Sequence, residues 1–290
     1  MDLRDTLTGR HEYLTSYNRT PENAIQNLRS LCAVNDLDSF QSTLAELRTH
    51  PDRFAINDLG EVLSDAIEHN KSDFASKLLQ YGYPIVGLHA KEAIFYKSKD
   101  VLMVYLEAGW DINDPIDEIS PLYLGATSYA VLDRDLTAWL LDRGANPNQR
   151  STVDCTPLSY AVQLASMSVI RLMLERGGDL LKGQLLQYCV YREDDVIDVL
   201  SLLLEKGAPI NATMSKDRLT FVRWWVYGLG TALHIAVQLG KFDVIRYLME
   251  SGADMNVKDA LGRTALELAK VKNQRNFVAY LENWSRDSKL

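Results

Sequence analysis

The sequence predicts an all-α solenoid of seven or eight stacked helix pairs. Two segments align without a gap, TPLSYAVQLASMSVIRLMLERGGD from Thr156 and TALHIAVQLGKFDVIRYLMESGAD from Thr231. A third copy, TALELAKVKNQRNFVAYLENW, begins at Thr264, which lies 33 residues after Thr231. Related glycine turns recur as GWDIN, GANPN, GAPIN and GADMN. Self-similarity at a fixed period is typical of arrays in which each unit packs on its neighbours.

Each copy carries the residues that a helix pair needs. Threonine begins the first helix because its side-chain oxygen accepts a hydrogen bond from a backbone amide that is otherwise unpaired. Proline fits the first turn of the helix. Apolar residues then recur at helical spacing, as in VIRYLMES. Glycine ends the second helix by adopting a left-handed backbone. Since one pair cannot bury its own apolar face, neighbouring pairs must stack.

The pairs can be placed along the chain in order. The first is predicted in PENAIQNLRSLCAVNDLDSFQSTLAELR, and the second in LGEVLSDAIEHN with SDFASKLLQYG. A later pair, GQLLQYCVY with DVIDVLSLLLEKG, lacks the threonine start. We expect the array over residues 21–284, an N-terminal extension or cap over 1–20, and a C-terminal tail over 285–290.

The period and these motifs resemble the ankyrin repeat family. TPLSYA, TALHIA and TALELA are similar to its T-P-L-H-x-A signature, from about residue 109 onward except near 180–209. The resemblance implies short β-hairpin fingers between the pairs and a hydrogen bond between repeats from His234. It also implies a non-catalytic module that binds a protein partner through its concave face.

One interval is longer than the period. Gly207 and Gly252 lie 45 residues apart, twelve more than one period, and the extra residues fall between Asn211 and Thr231. In the ankyrin family this interval is a finger. The segment LTFVRWWVY is rich in β-branched and aromatic residues, so we expect it to extend the hairpin.

This extended aromatic finger, residues 212–230, is the predicted partner-binding site. Large exposed apolar patches usually mark binding sites, and tryptophan, tyrosine and arginine dominate many interfaces. In a strand, Trp224 and Trp225 would point to opposite faces, so we expect one buried and one available. The alternative is that these aromatic side chains pack on the concave face as core. The candidates here are Arg218, Phe221, Arg223, Trp224, Trp225 and Tyr227.

Further candidates come from the inner ends of the first helices and from fingertips, which make most partner contacts in the ankyrin family. The resemblance implies Cys155, which we expect to be accessible, and Gln163, Gln238 and Leu239. Tyr160 and Tyr188 are added because tyrosine suits surfaces that are part buried and part wet. For all of them, packing along the groove is the alternative.

A second class of function stays open, a small-molecule-binding protein or an unusual enzyme. The groove between the finger and the inner helices would then close into an aromatic pocket of ligand size. Arg218 or Arg223 would bind a carboxylate in that pocket. An enclosed pocket with convergent polar groups favours this function, whereas an open, ridged groove favours protein binding.

Composition excludes several other classes. A net charge of −8 is unsuited to a nucleic-acid binder, which needs a basic face. Three widely spaced cysteines without CxxC give no zinc site, and no metal site, cofactor or catalytic residue is predicted. No stretch approaches the roughly 18 apolar residues that membrane insertion needs. The C-terminal Ser288, Lys289 and Leu290 read as a peroxisomal address, so we expect a peroxisomal import receptor as a partner and otherwise a cytoplasmic protein.

Overall fold

A computed structural model of the chain describes residues 22–49, 55–116, 124–224 and 229–287, without the side chains at 215, 221, 223, 224 and 285–287. The described residues are helical and form eight helix pairs, which confirms the predicted all-α solenoid. We number the pairs 1 to 8 along the chain. They are Glu22–Val34 with Leu37–Arg48, Gly60–Glu68 with Ser72–Tyr81, Gly87–Phe95 with Lys99–Glu107, Ala126–Ala130 with Arg134–Leu141, Pro157–Leu164 with Met167–Glu175, Leu185–Cys189 with Val196–Glu205, Ala232–Leu239 with Phe242–Glu250, and Ala265–Val271 with Arg275–Asp287.

The described residues divide into two compact units. The N-terminal unit contains pairs 1 to 4 and ends at Ala145, and the C-terminal unit begins at Asn146 and also includes 131–134. Each unit has an apolar core along its stacked pairs. In the first the core includes Leu28, Phe40, Leu63, Leu78 and Leu102. In the second the buried residues include Leu158, Ile170, Leu203, Leu233 and Leu248.

Threonines cap the first helices as the sequence predicts. In pair 5, Thr156 Oγ1 accepts the Ser159 N–H at 3.3 Å, and the Ser159 hydroxyl accepts the Thr156 N–H at 3.0 Å. In pair 8, Thr264 Oγ1 accepts the Glu267 N–H at 3.2 Å, and the Glu267 carboxylate accepts the Thr264 N–H at 2.7 Å. These reciprocal bonds satisfy amides that a helix start would otherwise leave unpaired.

His234 joins two repeats in the way the ankyrin resemblance implies. Its Nδ1 accepts the Thr231 N–H at 3.2 Å, which leaves Nε2 as the protonated nitrogen. Nε2 then donates to the carbonyl oxygen of Arg263 at 3.0 Å, in the finger that leads into pair 8. Burial lowers the pKa of His234, which keeps the ring neutral in this role.

Asn113 and Asn148, at the ends of two glycine turns, make a second kind of link between repeats. Asn148 Nδ2 donates to the Gly177 carbonyl at 2.7 Å, and its Oδ1 accepts the Asp179 N–H at 2.7 Å. In the N-terminal unit, Asn113 Nδ2 donates to the Gly144 carbonyl at 3.1 Å. The asparagine of one turn therefore satisfies backbone groups of the next turn along the array.

The short fingers within the described residues are turns, and the predicted β-hairpins are not confirmed. The described part of the chain contains no β-strand, and Pro115 and Gly125 form one isolated antiparallel bridge. The finger of pair 5 closes through one backbone bond, from the Ser151 N–H to the Cys155 carbonyl at 2.9 Å. Turns this short leave too few cross-strand pairs for a ladder. Within the described ranges, no helix combines the length and the apolar character needed to cross a bilayer.

Candidate partner-binding site at the helical insertion

The segment between Asn211 and Thr231, which we call the insertion, contains helices instead of an extended hairpin in its described residues. A 3-10 turn, Met214–Lys216, is followed by the α-helix Arg218–Trp224, which we call the insertion helix. Asp217 starts it, since its Oδ1 accepts the Thr220 N–H at 2.7 Å and the Thr220 hydroxyl at 2.7 Å. Aspartate is among the strongest helix-starting residues, and here this local cap outweighs β propensity. The predicted strand LTFVRWWVY, at 219–227, is therefore wrong for residues 219–224, and its last three residues lie outside the described residues.

Thr220 fixes the insertion helix to the finger of pair 5. Its side chain is buried, and its Oγ1 accepts the Asp154 N–H at 3.0 Å. Arg150 on the same finger forms an ion pair with Asp217. At its base the insertion closes on itself, because the Met214 N–H donates to the Gly230 carbonyl at 3.4 Å.

Asp154 also connects this finger to pair 6. Its Oδ1 accepts the Gly183 N–H at 3.0 Å, and its Oδ2 accepts a hydrogen bond from the Gln184 amide. Gln187, one turn further along, donates to the Ala212 carbonyl at 2.6 Å, where the insertion begins. The insertion is thus held by side chains from two neighbouring pairs.

A cavity of about 540 Å³ lies between these elements. Its lining is partly apolar and partly charged. The apolar side chains are Leu180, Leu181, Leu185, Leu186, Ala208, Pro209 and Ala212, and the polar ones include Arg150, Asp154, Gln184, Gln187, Asn211, Lys216 and Asp217. Arg150 pairs with both aspartates, since its Nε lies 3.9 Å from Asp154 Oδ1 and its guanidinium also pairs with Asp217.

The outer side of the insertion carries exposed apolar and cationic groups. Leu219 is 58% exposed and Val222 is 67% exposed, and residues three apart on a helix are surface neighbours. Arg218 is exposed one turn before Val222, and Lys216 is exposed at the rim of the cavity. Neither cation has a hydrogen-bond or ion-pair partner among the described side chains. Leu181, which also lines the cavity, is 76% exposed.

Four predicted site residues lie in the interior of the C-terminal unit. Cys155, Tyr160, Gln163 and Tyr188 are all buried, so the expectation that Cys155 is accessible is wrong. Burial raises the pKa of the Cys155 thiol to about 12, and the thiol is hydrogen-bonded to Tyr188. These positions face the neighbouring pair, and their burial supports the alternative that they pack along the stack.

For the other predicted site residues, the structure describes the side chain, the backbone alone, or neither. Arg218 is exposed, Leu239 is 40% exposed and Gln238 is half-buried at the end of the first helix of pair 7. Phe221, Arg223 and Trp224 belong to the insertion helix by their backbone alone. Outside the described residues lie Trp225, Tyr227, Ser288, Lys289, Leu290 and the segment 1–20.

Sequence reasoning missed the residues that hold the insertion, namely Arg150, Asp154, Asp217 and Thr220. The pattern Asp-x-x-Thr at 217–220 is a helix-start signal that identifies the cap. No comparable signal pairs Asp154 with Thr220, which lie 66 positions apart. Only the folded arrangement of pairs 5 and 6 brings those two residues together.

Thr220→Val is expected to release the insertion from the finger of pair 5. The variant keeps the side-chain shape but loses the acceptor for the Asp154 N–H and the donor to Asp217. Native-state cleavage by trypsin after Lys216 or Arg218 should accelerate about tenfold, as expected for the loss of one or two buried hydrogen bonds. Thr220→Ser, which keeps the hydroxyl, is the control and should cleave like the wild type. Equal resistance of the valine variant would contradict this anchoring role.

Comparison with known proteins agrees with the fold. The family described as "Ankyrin repeats (3 copies)" matches residues 186–287. A 94-residue segment, 32% of this chain, is 36% identical to the Neurogenic locus Notch protein of Drosophila melanogaster and covers 3% of it. A 123-residue segment, 41% of this chain, is 31% identical to Ankyrin repeat protein nuc-2 of Neurospora crassa and covers 10% of it. The chain therefore spans a small part of these relatives.

A solved structure shows the same architecture. The crystal structure of the ankyrin repeat domain of Bcl-3, a member of the IkappaB protein family, matches with a TM-score of 0.51 at 23% identity. The match covers 71% of this chain and 92% of that one. With the repeat period, the capped first helices and the His234 link, these matches define the class. Residues 186–287 match the ankyrin-repeat family, the described residues have the ankyrin-repeat fold, and such repeats indicate a protein–protein interaction module.

Proposed function

We propose that the chain binds a segment of a protein partner on the insertion and the cavity beside it. We define the insertion surface as Leu181, Lys216, Arg218, Leu219 and Val222. The observation that carries the proposal is the exposure of Leu219 and Val222 on a helix whose other side is fixed by buried Thr220. A surface that is already ordered loses little conformational entropy on binding, which leaves more of the contact energy as affinity.

We place the partner-binding surface at the insertion instead of on the concave face that the sequence predicts. The inner-helix residues Tyr160 and Tyr188 are buried, so they offer no contact area in this arrangement. Leu239 and Gln238 stay available at the end of pair 7 and extend the proposal to that helix. The aromatic residues Trp224, Trp225 and Tyr227 remain candidates on sequence grounds.

Small-molecule binding is the second candidate. The cavity volume of about 540 Å³ falls within the range of ligand pockets. Against it, Arg150, Asp154 and Asp217 are engaged with one another and with backbone groups, so they do not converge on an unfilled space. These observations favour a protein segment as the ligand.

The double variant Leu219→Ser, Val222→Ser tests the proposal. The full-length chain is used as bait from native cells, and captured proteins are quantified by mass spectrometry. We expect at least one partner to be reduced about tenfold, as for the loss of an interface anchor. Val271→Ser in pair 8 is the control, because Val271 is also 67% exposed but lies outside the insertion surface. If the double variant captures the same proteins in the same amounts as the control, the proposal fails.

The C-terminal tripeptide is a separate proposal. Ser288, Lys289 and Leu290 would engage a peroxisomal import receptor where Leu290 is the carboxyl terminus of the protein in the cell. What supports this is the match of the three residues to that address.

A further inference from the structure

We infer that the partner segment is acidic and apolar, with carboxylates flanking apolar side chains. This inference rests on the proposed function and names the chemistry that the insertion surface would recognise. It follows from the different positions of the anionic and cationic groups around the cavity.

The carboxylates near the cavity are turned inward and already satisfied. Asp217 Oδ1 accepts two hydrogen bonds from Thr220, and its Oδ2 pairs with Arg150. Asp154 accepts the Gly183 N–H and the Gln184 amide. Both aspartates are mostly buried, with side-chain exposures of 15% and 14% for Asp154 and Asp217. Their negative charge is therefore compensated within the fold and presented only weakly to a ligand.

The cations are turned outward. Lys216 and Arg218 are exposed, and no carboxylate among the described residues pairs with either. Lys182 is exposed beside Leu181, and its Nζ lies 3.4 Å from Asp179, a surface contact that contributes little energy. The insertion surface is thus locally cationic in a chain whose net charge is −8. Such a local field attracts anionic segments and orients them during encounter.

Each cation adjoins an exposed apolar residue along the chain. Lys182 follows the exposed Leu181, and Lys216 and Arg218 precede the exposed Leu219 and Val222. A segment laid across the cavity would place apolar side chains against these leucines and carboxylates near the lysines and the arginine. Nucleic acid fits this surface less well, because binding a phosphate backbone normally uses a more extended set of cations.

The test uses a phage-displayed peptide library selected on the immobilised full-length chain. Enriched peptides are synthesised with a fluorophore, and their affinities are measured by anisotropy. Three double variants are compared with the wild type: Lys216→Glu with Arg218→Glu, Leu219→Ser with Val222→Ser, and the control Lys258→Glu with Arg275→Glu. The control changes the net charge by the same amount at exposed positions outside the insertion surface.

We expect enriched peptides to combine aspartate or glutamate with leucine, isoleucine or phenylalanine. Reversal of Lys216 and Arg218 should weaken their binding at least about tenfold at low salt, and raised salt should weaken wild-type binding. The control should stay within about twofold of the wild type. Enriched peptides without carboxylates, or binding that charge reversal leaves unchanged, would overturn the inference that the partner segment is acidic. In that case, weaker binding to the Leu219→Ser, Val222→Ser variant would still support the proposed function. If binding is insensitive to both insertion variants, or no peptide is enriched, both ideas fail.

Discussion

Gly183→Ala is expected to destabilise the C-terminal unit by about 2–4 kcal/mol, the combined cost of a strained backbone and an overpacked core. Gly183 has a φ of +80°, a left-handed conformation that disfavours any residue with a Cβ atom. A Cβ built at this position would lie 2.2 Å from Ser159 Oγ and 2.5 Å from Thr156 Oγ1. Both distances are far below van der Waals contact.

The surrounding atoms cannot move aside without further loss. Ser159 Oγ donates to the Gly183 carbonyl at 2.5 Å and belongs to the capping box with Thr156. Rotation of either side chain would break that box and uncap the first helix of pair 5. The variant would also shift the Gly183 N–H that binds Asp154, so the anchoring of the insertion would loosen as well.

Gly177→Ala is the matched control for this prediction. Gly177 has a φ of +90°, and a Cβ there would meet nothing within 4 Å. Gly177→Ala should therefore lower the free energy of unfolding by only about 1 kcal/mol, the cost of placing alanine in a left-handed backbone conformation. Urea unfolding followed by far-UV circular dichroism measures both variants. Equal losses in the two would show that the close approach of Gly183 to pair 5 adds no strain.

Loss of stability on mild acidification is the second large effect we expect, and it comes from His89. This histidine is buried in the first helix of pair 3, with its ring edge-on to Tyr83 at 5.5 Å between centroids. Burial lowers its pKa from 6.5 to about 4 in the folded protein. Between these two values the unfolded chain binds more protons at this site than the folded chain does. The free energy of unfolding therefore falls as the pH falls from 6.5 toward 4.

The size of the effect follows from proton linkage. A pKa difference of this size corresponds to about 3 kcal/mol when fully expressed, and it levels off below the folded pKa. Urea midpoints at pH 7 and pH 4.5 should therefore differ more for the wild type than for His89→Gln. The comparison isolates His89, because buried His234 contributes in the same direction to both proteins. An unchanged difference in the glutamine variant would assign the acid sensitivity to other groups.

The regular part of the fold could be predicted from the sequence because its signals are local. Thr156, Thr231 and Thr264 occupy the same position of the repeat, and each begins a helix. A turn such as GANPN ends a helix and supplies the asparagine that bonds to the next turn. Each of these roles is set by backbone geometry within a few residues. Because the pattern repeats along the chain, pair 6 can be predicted from its position in the array although it lacks the starting threonine.

The candidate site was predicted less well because its geometry depends on distant contacts. The position of the insertion followed from the repeat spacing, but its conformation did not. Aromatic and β-branched composition favoured a strand, whereas the cap at Asp217 and the anchor at Thr220 produce a helix. Likewise Tyr160 and Tyr188 are compatible with both a wet groove and a packed interior, and only the stacking of pairs 5 and 6 decides between them.

The closed base of the insertion has a consequence for how this chain can diversify. Because Met214 and Gly230 meet through their backbones, the chain leaves pair 6 and enters pair 7 at nearly the same place that a short finger would use. Substitutions on the solvent side of the insertion helix, at Leu219 or Val222, therefore leave the packing of Leu203 and Leu233 untouched. If the insertion binds the partner as proposed, stability and selectivity are encoded in separate residues. In homologous chains we expect this helix to vary in sequence while the pairs around it stay the same.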